Sequence, residues 1–173
     1  LTGADLNHDG HMDIAATNYT TPGTVSVLLG KGDGTFQPKI DFSASSPHTV
    51  SSGDLDQDGD IDLVICDFDT GKITIALGNG DGTFATLPEI PTGTNPHASA
   101  VGDVDGDGKN DIVVANQASN TLSMLLGRGG ASWAPKIDYP VGAGAHNVAI
   151  ADLDGDRLPE VSCSNIVANT VTI

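Results

Sequence analysis

The sequence predicts an all-β protein assembled from repeated four-stranded antiparallel units. Three observations carry that prediction. A nine-residue acidic stretch recurs four times, beginning at Asp5, Asp54, Asp103 and Asp152, with a spacing of 49 residues at every step. The segments between copies are short runs rich in Val, Ile and Thr, several of them alternating apolar with polar residues, as in TVSV and KITI. Gly, Asp, Asn and Pro punctuate these runs, and no apolar spacing near 3.6 persists long enough for a helix. A fixed period of this size marks a repeat architecture.

Each unit resolves into four strands. Strand A is the segment PHTVSSG, PHASAVG or AHNVAIA that leads into an acidic stretch. Strand B follows it as IAATN, LVICD, IVVAN or VSCSN. Strand C is TVSVLLG, KITIALG, TLSMLLG and a shortened TVTI. A GDG turn at 32–34 and 80–82, where Asp33 and Asp81 serve the hairpin, then leads to strand D, expected to start at Thr-Phe. Four-stranded units of about 40 to 50 residues point to β-propeller blades. The approximate units are 1–47, 48–96, 97–145 and 146–173 of a single repeat domain, the first and last incomplete. Some three and a half blades fall short of a comfortable ring, since propellers close with about four to eight. The expectation is a partial ring: a processed chain or excised piece of a larger propeller, or a chain whose copies associate to bury their exposed blade faces.

Composition narrows the partners. Seven Lys and Arg stand against 23 Asp and Glu, giving a formal charge of −16. Nucleic acid, which is bound by basic side chains that neutralise phosphates, is excluded as a partner. So are anionic membrane surfaces, and no apolar run nears the roughly 18 residues needed to span a bilayer. A cation is the natural partner. Cys66 and Cys163 sit in non-adjacent units and one position out of register, on opposite strand faces, so no disulfide is expected between them.

The acidic stretches read DLNHDGHMD, DLDQDGDID, DVDGDGKND and DLDGDRLPE. Oxygen side chains occupy positions 1, 3, 5 and 9, and position 7 can add a backbone carbonyl. Sixteen of the 23 acidic residues lie in these four loops. Like charges so close repel by roughly 1 kcal/mol per pair even in water, and a divalent ion among them removes the conflict. An all-oxygen, carboxylate-rich set suits Ca²⁺, which takes about 6–8 oxygens; Mg²⁺ prefers a tighter octahedron, and zinc favours Cys and His. Gly10, Gly59 and Gly108 at position 6 permit the positive φ of a sharp turn.

This pattern resembles the calcium loops of FG-GAP (VCBS-type) repeats, found in integrin α-subunit propellers and many bacterial secreted proteins. The resemblance covers nearly the whole chain. It implies a β-propeller with up to four Ca²⁺ ions, one in the loop between the first two strands of each blade. The implied ligands are Asp5, Asn7, Asp9 and Asp13; Asp54, Asp56, Asp58 and Asp62; Asp103, Asp105, Asp107 and Asp111; with the carbonyls of His11, Asp60 and Lys109. In the fourth loop Asp152, Asp154 and Asp156 remain, with the carbonyl of Leu158, but Arg157 replaces the glycine and Glu160 the last Asp. That site is expected to be the weakest.

Other recurrent residues have plainer readings. His48, His97 and His146 should line the channel opposite the acidic loops, as repeat residues that bond a neighbouring loop rather than as a ligand ring. Asn18, Asp67, Asn116 and Asn165 close strand B and suggest Asx turns. Phe36, Phe84 and Trp133 suit packing between blades better than a sugar platform. No constellation for catalysis stands out. The expected function is a non-catalytic, calcium-stabilised scaffold or adhesion-type binding module, extracellular or at the cell surface. The alternatives are a carbohydrate-binding, lectin-like propeller and a self-assembling propeller piece.

Overall fold

Strands and turns fall where the 49-residue period puts them. The computed structural model describes residues 1–20 and 22–173, and among these it has sixteen β-strands and no helix. The first sheet runs β1 (Thr2–Ala4), β2 (Asp13–Asn18), β3 (Gly23–Leu28) and β4 (Ile40–Ala44), each antiparallel to its neighbour. The second is β5 (Pro47–Gly53), β6 (Asp62–Asp67), β7 (Lys72–Gly78) and β8 (Phe84–Thr86), with β9 (Ile90–Pro91) also paired to β7. The third is β10 (Pro96–Gly102), β11 (Asp111–Asn116), β12 (Thr121–Leu125) and β13 (Ile137–Pro140). The fourth has three strands, β14 (Ala145–Ala151), β15 (Glu160–Asn165) and β16 (Thr170–Thr172). This all-β, up-and-down succession of sheets is a β-propeller arc.

Period-2 alternation explains the packing. In β6, Leu63 and Ile65 face the first sheet, while Val64 and Cys66 face the third. In β11, Ile112 and Val114 face the second sheet, while Val113 and Ala115 face the fourth. These central strands are buried on both sides, which is why LVIC and IVVA read as continuous apolar runs. The core is thus three slabs between four sheets rather than one central mass. Cys66 and Cys163 lie in different slabs, buried and unpaired. Burial pushes the Cys66 thiol up to about 11, as suits an inert packing residue.

Strand D departs from expectation. Phe36 and Trp133 make only lone bridges, to Gly30 and Gly127, and Phe84 opens a strand of three residues. The ladder breaks at Pro38, Pro88 and Pro135 and resumes as β4, β9 and β13. Proline has no N–H to give the ladder, so the outer strand is cut in two.

The ladder between strands A and B also shifts by one residue, between Pro47 and Thr49, Pro96 and Ala98, and Ala145 and Asn147. His48, His97 and His146 are each the extra residue of a β-bulge. The bulges aim the three imidazoles into a column whose ring centroids are 4.4 and 3.6 Å apart. Nδ1 of His97 donates to the His146 carbonyl at 2.9 Å, and His48 makes a longer bond of the same kind to the His97 carbonyl. The partner is therefore the next repeat's inner strand rather than a loop. Burial, with the two flanking histidines, pushes His97 down to about 4.

Candidate metal centre

Each acidic loop is a tight excursion between strands A and B, and its first carboxylate organises it. Asp5 accepts the N–H groups of Asp9 and Gly10 at 3.2 and 2.9 Å. Asp54 accepts from Gln57 and Gly59, Asp103 from Gly106, Asp107 and Gly108, and Asp152 from Gly155 and Arg157. Against the cost of partial desolvation, the N–H groups of Gly10, Asn7, Asp9 and His8 hold Asp5 below the usual carboxylate range. The position-5 carboxylates accept the N–H of position 7, which fixes the peptides of His11, Asp60, Lys109 and Leu158.

The turn needs left-handed backbone at position 6: φ is 80° at Gly10, 95° at Gly59 and 83° at Gly108. Arg157 adopts 78° in the fourth loop. A Cβ at any of the three glycines would meet nothing within 4 Å, so the constraint is backbone strain and not crowding. Position 4 is left-handed as well, at His8, Gln57, Gly106 and Gly155, a second demand that the sequence pattern did not suggest because the residue type there varies.

The last acidic position does more than face the loop. Asp13 is buried and accepts the N–H groups of Leu6 and Gly30, at 2.8 and 2.6 Å. Asp62 does the same with Leu55 and Gly78, and Asp111 with Val104 and Gly127. One carboxylate therefore ties the start of the loop to the end of strand C. Glu160 reaches only Leu153 N, at 2.7 Å. Burial pushes Asp62 up to about 6 against those N–H bonds, and Asp56 and Asp58 push the same way. Asp111 is raised for like reasons, burial first.

Carboxylate oxygens come within 4.8 Å of one another in three sets that could hold a metal ion: Asp54, Asp56 and Asp58; Asp103, Asp105 and Asp111; Asp152, Asp154 and Glu160. In the first loop Asn7 stands between Asp5 and Asp9 and donates to Asp9 at 3.0 Å. Asp107 turns to Lys109 at 2.5 Å, whose ammonium holds it below its usual range. The donor set in each loop is all oxygen and mostly anionic. These residues fit a hard divalent cation.

Neighbouring loops are also joined. His8 Nε2 lies 2.5 Å from Asp60 Oδ1, Gln57 donates to the Gly108 carbonyl, and Asn110 donates to the Asp54 carbonyl. The GDG turns serve as expected: Asp33 and Asp81 each accept the N–H and hydroxyl of the threonine two residues on. The residues ending strand B do not make Asx turns. Asp67, Asn116 and Asn165 are buried and bond the hydroxyls of Thr74, Ser123 and Thr172 on strand C, and Asn18 bonds Ser26 in the same way. Phe84 and Trp133 pack between sheets.

Three overlapping segments, 5–65, 54–114 and 103–162, match the family model described as FG-GAP-like repeat. No curated protein matches the chain. Among solved structures, the Agrocybe aegerita lectin that recognises non-reducing terminal N-acetylglucosamine is similar at a TM-score of 0.62 and 23% identity, over 94% of this chain and 45% of that one. BBS1N, solved in complex with ARL6DN, is similar at 0.52 and 15%, over 95% of this chain and 58% of that one. The chain thus spans less than two thirds of either, and at these identities the likeness is one of fold. The family match runs through all four acidic loops, and the chain belongs to the FG-GAP-like repeat family.

Proposed function

We propose that this chain is a non-catalytic propeller module whose folding is coupled to Ca²⁺, serving outside the cell as a scaffold or adhesion-type binding domain. The observation that supports it most is the convergence of carboxylate oxygens in the second, third and fourth loops, of which the second and third are closed by an acid that also holds strand C. Side chains at positions 1, 3, 5 and 9 would hold the ion, with the position-7 carbonyls. A bound cation offsets the repulsion inside each loop and stabilises only the folded form, so stability follows ion concentration. The millimolar Ca²⁺ found outside cells suits exposed loops of modest affinity. Melting in excess EGTA against millimolar Ca²⁺ tests the reading: a large fall in Tm is expected on chelation. An unchanged melt sinks it.

A glycan ligand is the second reading, and one observation favours it. A polar cavity of about 500 Å³ opens between the second and third sheets, on the rim opposite the acidic loops. Asp69, Thr70, Thr94, Asn95, Ser119 and Asp138 line it, a set of donors and acceptors suited to sugar hydroxyls. A glycan array probed with the calcium-loaded protein distinguishes this reading from a purely structural module.

A further inference from the structure

Three histidines, one repeat apart, meet on the inner strands. The bulges in β5, β10 and β14 stack the half-buried rings of His48, His97 and His146 in a column rather than closing them round one point. The tightest pair is His97 with His146, whose centroids are 3.6 Å apart and whose planes are 34° apart. Two metal–imidazole bonds of about 2.0–2.1 Å span roughly 4 Å, so this separation suits one ion between two nitrogens. The lone pair such an ion needs is already fixed. His97 spends its Nδ1–H on the His146 carbonyl at 2.9 Å, which leaves Nε2 as the lone-pair atom of the neutral ring. Among the described residues no hydrogen bond takes Nε2 of His97 or of His146. An imidazole whose other N–H is held by a backbone carbonyl is the arrangement that metal-ligating histidines use. Burial and the flanking histidines also keep His97 neutral down to about 4, so no proton has to leave before an ion binds. Phe68 walls the column, 5.0 Å from His48 and 6.2 Å from His97, and Tyr19 stands edge-on to His48 at 5.4 Å.

We propose that His97 and His146 hold a late first-row transition-metal ion through their Nε2 atoms. Water completes the shell, and His48 is next in line, 4.4 Å from His97. Imidazole nitrogen suits Cu²⁺, Ni²⁺ and Zn²⁺, whereas Ca²⁺ takes oxygen. None of the three carboxylate clusters includes a histidine, so this site is separate from the acidic loops and does not rest on the calcium reading. The ion joins β10 to β14 and so staples the third sheet to the fourth at their inner edge. By the Irving–Williams order Cu²⁺ binds most tightly, ahead of Ni²⁺ and Co²⁺.

Cu²⁺ titrated into the full chain, with millimolar Ca²⁺ present to compete for the acidic loops, tests this. Calorimetry should show one tightly held ion per chain, electron paramagnetic resonance should show the splitting of two imidazole nitrogens, and Tm should rise with free Cu²⁺. Losing even a supporting partner of a metal ligand costs about 10–100-fold in affinity, so His97→Gln and His146→Gln should each weaken binding by roughly 100-fold or more. Each should also reduce the splitting to that of one nitrogen. The two substitutions lie in different repeats, and circular dichroism shows which variants are folded. His8→Gln, which removes an imidazole beside the acidic loops, should leave the affinity unchanged. Tight binding that survives both substitutions overturns the proposal, as does a spectrum of oxygen ligands alone or a parent chain that takes up no Cu²⁺ in millimolar Ca²⁺.

Discussion

Arg157 shows how a single backbone angle grades otherwise equivalent sites. Its φ of 78° is one that Gly10, Gly59 and Gly108 adopt without penalty, and a side chain there costs about 1 kcal/mol. Arg157→Gly is expected to raise stability by about that amount without added metal, and to tighten ion binding at the fourth loop by removing a nearby positive charge. Denaturant melts and calorimetric titration of the variant check both parts. His97 makes a second prediction. Burial and its two flanking histidines keep it neutral in the fold, down to about 4, whereas an unfolded histidine titrates near 6.5. The unfolded chain therefore binds the proton first, and the stability that His97 contributes is present above about 6.5 and lost as pH falls towards 4. His97→Gln should lose less stability than the parent chain across that window, in melts compared at each pH.

At the scale of the strand and its loop, the last acidic residue acts as a clasp. Asp62 takes N–H bonds from both Leu55 and Gly78, so the A–B loop cannot open without freeing the end of β7. Asp62→Asn keeps the shape but turns an amide donor towards one of those N–H groups. The expected cost is about 2 kcal/mol even in calcium, measured by denaturant unfolding. Glu160→Gln, with a single N–H partner at Leu153, should cost about half as much. The sequence revealed the clasp only in part. Oxygens at positions 1, 3, 5 and 9 are a local pattern, so the loop was legible. The partners Gly30, Gly78 and Gly127 lie 16 or 17 residues downstream, and only the finished hairpin brings them near. The same limit applies to strand D and to Asn116. Alternation and turn residues locate a strand, but where a proline cuts its ladder depends on which N–H faces the partner. Whether an Asn caps its own turn or reaches Ser123 depends on which way the strand presents it.

Across the whole molecule, each sheet packs only on its neighbours, so stability is a sum of repeat terms and nearest-neighbour interface terms. The loops obey the same rule unevenly. The second loop is bonded on both sides, through His8 to Asp60 before it and through Gln57 and Asn110 to the third loop after it. The turn before β13 adds Gly130 N to the Asp56 carbonyl. Among the described residues no hydrogen bond joins the third loop to the fourth. Asp54 and Asp152 hold the same position in their loops, yet losing Asp54 disturbs two interfaces and losing Asp152 disturbs none that is bonded loop to loop. For a chain of this size about 1 kcal/mol shifts Tm by roughly 2–4 °C. Asp54→Ala is therefore expected to lower Tm by about 6 °C or more, and Asp152→Ala by about 3 °C or less, in scanning calorimetry with calcium present. Equal drops would mean that each loop stabilises only its own hairpin, and that the bonds between loops carry no coupling.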